Sequence, residues 1–318
     1  MHTGRHHLVE FLEFANLDQF IVPEIQRDYV WQKDNIIDLL SSFKDGFDNQ
    51  NGDVPYLGFI YAFKDKEYAY RYFLVDGQQR MTSVYLLLLI SYHKAGKKLP
   101  FYLVKDDKLK LDYKVRQATH DFFADLVSHC QLHPFSPNLV IRDQVWFHRA
   151  YENDMSICNI ISNYEAIRAW LDQFDQPQLI KFLTFLEDKV ELSYFDIEDG
   201  REGEELYIYM NSRGRQLEIN ETIKARFLAQ LPSPNDHLDW GRKWEKWQDF
   251  FWVHRGDNPD ADATFNEFLR QVQIIQMCIL NNKAEDISKF ATGKGEEFVK
   301  MELLPAINEV EVKASPTL

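Results

Sequence analysis

The chain has 318 residues, 45% of them hydrophobic, and a formal net charge of −14 at pH 7. This length allows a sizeable core in one large domain or two, and the acidic balance argues against a surface that is broadly a nucleic-acid platform. Three widely spaced cysteines argue against a disulfide framework, and the longest apolar run, residues 84–90, is too short to cross a bilayer. A cytoplasmic protein without membrane association is therefore expected.

The first polar cluster follows a short predicted strand at residues 20–22, which Pro23 ends because proline cannot donate to a ladder. The cluster combines an amide, a guanidinium and two aromatic rings: Gln26, Arg27, Tyr29 and Trp31. One interpretation is the wall of a ligand pocket, with the guanidinium on a phosphate and a ring against a base. The other is that both rings anchor the core while the arginine pairs with an acid.

A predicted hairpin of residues 56–63 and 70–75 leads into the most distinctive segment, Asp-Gly-Gln-Gln-Arg at residues 76–80. The apolar residues that follow occupy every face, which predicts a helix buried all round. A strand that turns through glycine into a helix directs backbone N–H groups and a positive dipole end at one point, which favours a phosphate. Arg80 adds a planar set of donors. Alternatively, the segment is an ordinary turn whose glutamines solvate a helix start.

Basic residues follow that helix: Lys94, Lys97, Lys98, Lys114 and Arg116. A solvated face is the usual role of such a cluster, and DNA contact is the alternative. Helices are predicted from about residue 115 to 188. Val190, Leu192 and Tyr194 then alternate with polar neighbours, which predicts a strand that returns to the N-terminal sheet.

The third polar cluster holds Asn211, Arg213 and Gly214, with Lys224 on the next predicted helix. Gly214 stands where a left-handed C-terminal cap would fall. These groups lie at helix ends, where they either converge on a ligand or act as ordinary caps. The returning strand would bring them beside the first two clusters.

The C-terminal part is predicted to be helical after a break at Pro232 and Pro234. Trp240, Trp244 and Trp247 recur at helical spacing. Such a stripe is typical of a core, packed on the body of the protein or on a second subunit. Homodimerisation through this part is therefore one option.

The three clusters, in this order and with Tyr56–Ile60 between the first two, resemble the N-terminal domain of GmrSD-type restriction endonucleases. That domain also occurs in SspE-like proteins and is related to the ParB and sulfiredoxin folds. The resemblance implies an α+β fold, a small ParB/sulfiredoxin-like mixed sheet with helices followed by a large, mainly helical portion. The corresponding division is a nucleotide-binding core at 1–100, a helical insertion with the returning strand and third cluster at 101–230, and a helical module at 231–318.

The resemblance further implies a nucleotide-binding domain that hydrolyses a nucleoside triphosphate and regulates a prokaryotic, modification-dependent, anti-phage restriction system. Asp76, Gln78, Gln79 and Arg80 would be catalytic. The nucleotide-binding residues would be Gln26, Arg27, Tyr29, Trp31, Gly77, Asn211, Arg213, Gly214 and Lys224. Ile25 departs from the family, which usually has tyrosine at that position, so any contact from that ring is lost.

Magnesium suits a site made of one carboxylate and phosphate oxygens, and Asp76 is the expected ligand or water-orienting base. The P-loop motif is missing from the sequence, which disfavours that class of ATPase. The ten histidines are scattered and show no nuclease signature, so a nuclease domain or subunit is expected as a partner. The alternative function is a non-catalytic sensor of modified DNA or of a nucleotide. Direct nicking of DNA ranks last, because no metal-ligand cluster is present in the sequence.

Overall fold

The computed structural model describes residues 3–14, 17–23, 28–49, 54–65, 67–68, 70–106, 108–113, 116–197, 219–229, 231, 234–254 and 261–279, apart from some side chains of the last three helices. The chain divides into two compact units, Met1–Tyr207 and Ile208–Leu318. The domain boundaries predicted near residues 100 and 230 stay predictions.

The first unit contains eight described strands and six described α-helices, with short 3-10 helices between some of them. The strands are β1 (Gly4–His7), β2 (Gln19–Val22), β3 (Tyr56–Lys64), β4 (Arg71–Asp76), β5 (Val104–Lys105), β6 (Lys108–Leu109), β7 (Leu111–Tyr113) and β8 (Glu191–Asp196). The helices are α1 (Leu8–Leu12), α2 (Lys33–Asp48), α3 (Gln78–Lys94), α4 (Gln117–Leu132), α5 (Met155–Trp170) and α6 (Gln176–Lys189).

Six of these strands form one mixed sheet in the order β1-β8-β3-β4-β2-β7, and β5 pairs with β6 separately. Strand β8 runs antiparallel to β1 and parallel to β3. The β3–β4 pair is the predicted antiparallel hairpin, and β2 is parallel to both β4 and β7. The returning strand predicted around Leu192 is confirmed, since β8 enters the sheet between β1 and β3. Its apolar residues alternate because one face of the strand is buried.

Helix α3 is the centre of the core. All residues from Leu86 to Ile90 are fully buried, and α3 packs against α4, α5 and α6. This confirms the helix predicted to be buried on all sides. Helix α6 begins at a capping box, in which the Asp175 carboxylate accepts from the N–H of Gln178. The mixed sheet and its covering helices confirm the predicted α+β class.

The second unit contains the helices α7 (Ile219–Ala229), α8 (Pro234–Val253) and α9 (Ala261–Ile279), which pack on one another. Trp244 of α8 is completely buried, and its ring contacts those of Phe227 and Phe265 on the two neighbouring helices. Of the tryptophan stripe, Trp244 thus lies in the core of the described helices, and Trp240 and Trp247 are half-buried. Among the helices that the structure describes, none combines the length and apolar character that a membrane span requires.

Candidate functional site

The segment 76–80 joins the end of β4 to the start of α3 through a left-handed glycine. Gly77 has φ +92° and ψ 3°, a conformation that side-chain-bearing residues rarely adopt. A Cβ atom at this position would also overlap Cδ1 of Ile60 and lie 3.2 Å from the Phe59 carbonyl oxygen. Glycine is therefore required both by the backbone angle and by the close approach of β3. The turn aims the first N–H groups of a 17-residue helix at the end of the sheet.

The guanidinium of Arg80 lies between the start of β3 and the end of β4. Its Nη1 donates to the Leu57 carbonyl at 3.1 Å, and its Nη2 donates to Oδ2 of Asp76 at 3.1 Å. Gly58, with φ +98°, makes room for this position, because a Cβ there would overlap Nη1. The side chain of Arg80 remains 24% exposed and that of Asp76 30% exposed. A fixed cation and a carboxylate thus stand together at the helix start, with access from solvent.

Gln79 connects this turn to the loop of the first cluster. Its Oε1 accepts from the backbone N–H groups of Val30 at 2.9 Å and Trp31 at 3.1 Å. Its Nε2 donates to the Asp28 carbonyl at 2.8 Å. The buried amide therefore makes three hydrogen bonds to one loop. We call this arrangement the Gln79 clamp.

Tyr29 anchors the same loop in the core. Its hydroxyl is 2.7 Å from Oγ of Ser83 and accepts from Nδ2 of Asn163 at 3.0 Å. Burial raises the pKa of Tyr29 to about 12, against the opposing effect of these two hydrogen bonds. The backbone N–H of Tyr29 donates to Oγ of Ser156 at 3.0 Å. Tyr29 is thus almost fully buried, and its described contacts hold the loop in place, which agrees with the interpretation of this ring as a core anchor.

Trp31 lies at the edge of the core. Its side chain is half-buried and packs against the apolar cluster. Its carbonyl accepts from Nδ2 of Asn163 at 2.7 Å. Because the ring is partly exposed, it could still stack on a base, and that role stays a prediction.

A buried ion pair fixes the start of the loop. Arg116 Nη1 pairs with Oδ1 of Asp28, and Oγ of Ser156 donates to the same oxygen at 3.0 Å. Both charged side chains are less than a tenth exposed. Arg116, predicted as a DNA contact, is therefore buried in a structural ion pair. The sequence analysis did not predict a role for Asp28. Its position next to Arg27 in the first cluster is the signal that could have indicated one.

Asp76 is the candidate metal ligand. One of its oxygens, Oδ2, accepts from Arg80, and its Cα stands opposite that of Tyr61 in the β3–β4 pair. Within the described part of the chain, no three histidine, cysteine or acidic side chains cluster as a metal site. Mg²⁺ commonly uses one or two carboxylates plus phosphate oxygens and water, so a single carboxylate beside the turn predicted to bind phosphate fits it.

The remaining predicted site residues are not all brought to this turn. Gln26, Arg27, Lys114, Asn211, Arg213 and Gly214 lie outside the described residues. Lys224 belongs to the second unit, where it forms a buried ion pair with Glu245. Lys94 pairs with Asp172, whereas Lys97 and Lys98 are exposed at the end of α3. Gln78 is buried at the first position of α3. Among the predicted site residues that the structure describes, Tyr29 and Trp31 are brought beside the turn at residues 76–80.

Comparison with known proteins supplies the family. No curated protein matches the chain. A family model described as the N-terminal domain of GmrSD restriction endonuclease matches residues 9–228, a span that includes the Gln79 clamp and the 76–80 turn. Because this match covers more than half of the 318 residues, the chain belongs to the GmrSD restriction endonuclease N-terminal domain family.

Proposed function

We propose that this restriction-system domain binds a nucleoside triphosphate at residues 76–80 and hydrolyses it with Mg²⁺, in the cytoplasm. In this proposal the nucleotide state regulates a nuclease domain or subunit that acts on modified DNA. The observation that carries the proposal is the position of Arg80. Its guanidinium is held beside Asp76 at the start of a long helix that is entered through a left-handed glycine.

Phosphate binding follows from two sources of positive charge at one point. The N–H groups of the first turn of α3 carry the positive end of the helix dipole. The guanidinium of Arg80 has further N–H donors besides the two that bond Leu57 and Asp76. Donors that are fixed before the ligand arrives need no reorganisation when charge develops on a transferring phosphoryl group.

The proposed hydrolysis assigns separate roles to the polar side chains. Asp76 either holds the metal or orients the attacking water, and Gln78 helps to position that water. Mg²⁺, when bound, neutralises charge on the phosphate oxygens. Gln79 has its amide committed to the loop at residues 28–31, so it supports the site by positioning that loop.

The test measures phosphate release from each of the four ribonucleoside triphosphates with Mg²⁺, beside binding by calorimetry. We compare the parent with Arg80→Ala and with Arg149→Ala, an exposed arginine in the same unit. Turnover should persist in the control and fall by about 100-fold or more in Arg80→Ala, as for the loss of other fixed transition-state donors. If the parent binds no triphosphate, the proposal fails.

A second candidate is nucleotide binding without turnover, as part of a sensor that relays to a nuclease. It is favoured by the contact between Asp76 and Arg80, because the carboxylate oxygen Oδ2, which could otherwise orient a water, already accepts a hydrogen bond from the guanidinium. Under this candidate the parent binds a triphosphate but releases no phosphate. Asp76→Asn would then bind the triphosphate as the parent does.

A further inference from the structure

The face of the sheet opposite α3 carries a row of aromatic rings on β3 and β8. Ile60 and Ala62 of β3 lie in the core, and Phe59 and Tyr61 alternate with them and point to the other face. On β8, Phe195 follows the buried Tyr194 and reaches the same face. Tyr56 extends the row at the start of β3. We call Tyr56, Phe59, Tyr61 and Phe195 the aromatic row.

The rings of the aromatic row contact one another, and Tyr56 and Phe59 are also exposed, whereas Tyr61 and Phe195 are half-buried. Tyr61 and Phe195 stack with centroids 4.9 Å apart and planes inclined by 14°. The ring centroid of Phe59 lies 5.8 Å from that of Phe195 and 6.0 Å from that of Tyr56. Phe59 is nevertheless 47% exposed and Tyr56 42% exposed. Contiguous exposed aromatic rings on a sheet mark a binding surface more often than scattered apolar residues do.

The aromatic row begins at the proposed phosphate site. Tyr61 stands opposite Asp76 in the β3–β4 register. The backbone of Phe59 lies beside Gly77, since a Cβ atom at Gly77 would be 3.2 Å from the Phe59 carbonyl oxygen. The pKa of Tyr61 is raised by burial and then by the charge of Asp76, whereas Arg80 lowers it. Both charged groups of the site are therefore electrostatic neighbours of this ring.

We propose that the aromatic row is the surface on which the base of the bound nucleotide stacks, with Phe59 as its main contact. This inference rests on the proposed function, because it assumes phosphates at residues 76–80. A nucleotide combines an anionic end with a flat aromatic base, and the site places a guanidinium next to exposed flat rings. Stacking on aromatic side chains tolerates any base, since every base has a π face.

Charge favours a single nucleotide over a nucleic-acid strand as the occupant. Near the row, β8 carries Glu191 at one end and the exposed Asp196 at the other, and Asp76 lies at the turn. Arg5, whose guanidinium lies 5.5 Å from the centre of the Tyr56 ring, is already paired with Glu191. A strand would bring several phosphates past these acids, whereas a nucleotide keeps its charge at Arg80.

The test separates base binding from phosphate binding. Calorimetry measures the Kd of each ribonucleoside triphosphate and of inorganic tripolyphosphate, which has no base, for the parent, Phe59→Ala and Phe101→Ala. Phe101 is a matched control, since it is 54% exposed and lies away from the row in the sequence. In Phe59→Ala the triphosphate Kd should rise about tenfold, which corresponds to about 1.4 kcal/mol. Its tripolyphosphate Kd should stay within about twofold of the parent value, and Phe101→Ala should change neither.

Each outcome decides the inference. If Phe59→Ala binds triphosphates as the parent does, base stacking on this row is wrong, while phosphate binding at the turn stands. If the parent binds neither probe, the proposed function fails and this inference fails with it. Single-stranded DNA is added as a third probe. Binding of this DNA that depends on Phe59, without a matching effect on triphosphates, would assign the row to a nucleic-acid strand instead.

Discussion

Replacing Gln79 by alanine should destabilise the protein because the Gln79 clamp is a tertiary contact. The side chain is buried, and it bonds a loop that lies 48 to 51 positions earlier in the chain. Alanine is a good helix former, so α3 itself loses nothing in helix propensity. The effect of the substitution therefore reports on the clamp.

The magnitude follows from the three hydrogen bonds. Two backbone N–H groups, of Val30 and Trp31, lose their acceptor, and the Asp28 carbonyl loses a donor. At about 1 kcal/mol for each bond, the free energy of unfolding should fall by about 3 kcal/mol. Water entering the half-buried loop would lower this figure, and full desolvation of the orphaned groups would raise it. For a typical domain stability of about 5–15 kcal/mol, the loss is large.

Urea denaturation of the parent, Gln79→Ala and Gln131→Ala measures this difference. Gln131 is an exposed glutamine on α4, where the same substitution should change stability by less than about 0.5 kcal/mol. Equal stability of Gln79→Ala and the control, with equal slopes, would refute the clamp. If phosphate release were nevertheless lost in Gln79→Ala, the residue would act in catalysis, as the resemblance implied.

Three further changes test other parts of the structure. Gly77→Ala should destabilise by clearly more than Gly96→Ala, because both glycines have positive φ but only a Cβ at Gly77 meets neighbouring atoms; chemical denaturation compares them. Asp28→Asn should lower the free energy of unfolding by about 3–5 kcal/mol, since it removes the carboxylate charge that is paired with the buried Arg116 guanidinium. Asp28→Asn combined with Arg116→Met should recover part of the loss in the same assay. Burial lowers the pKa of His93 in the folded protein below its ordinary value of 6.5. As the pH falls below 6.5, the unfolded chain therefore gains a proton at His93 before the folded protein does, and the free energy of unfolding should decrease until the pH has passed the lowered pKa. His93→Gln should show a smaller loss between pH 7.5 and 5 in thermal unfolding.

The local part of the site was predictable from the sequence because short-range chemistry governs it. An apolar strand, a glycine and an unbroken apolar helix follow one another within residues 71–90, so β4, the Gly77 turn and α3 were all expected. The alternation around Leu192 likewise predicted β8. These signals depend on the periodicity of apolar residues and on the conformational freedom of glycine. Both are visible in residues that are close together in the sequence.

The partners of buried polar groups were not predictable in the same way. Gln79 was assigned to catalysis, whereas its amide bonds the loop at residues 28–31. For Tyr29 the sequence left a ligand contact and a core anchor both open, and the structure shows a buried anchor. Arg116 was grouped with surface lysines, although Asp28 neutralises it in the interior. A sequence states which groups can donate or accept, but their partners are chosen by elements that meet only after folding.

The family, the α+β class and the position of the turn at residues 76–80 can be inferred from the sequence, because motif order and periodicity are properties of the chain before it folds. The residues that surround that turn, in contrast, depend on tertiary contacts. The pairing of β3 with β4 places Arg80 against Leu57 and Asp76, and the alternation on β3 and β8 turns the aromatic row to the outer face. Such neighbours follow from strand register and from the packing of distant segments, and no single segment encodes either one.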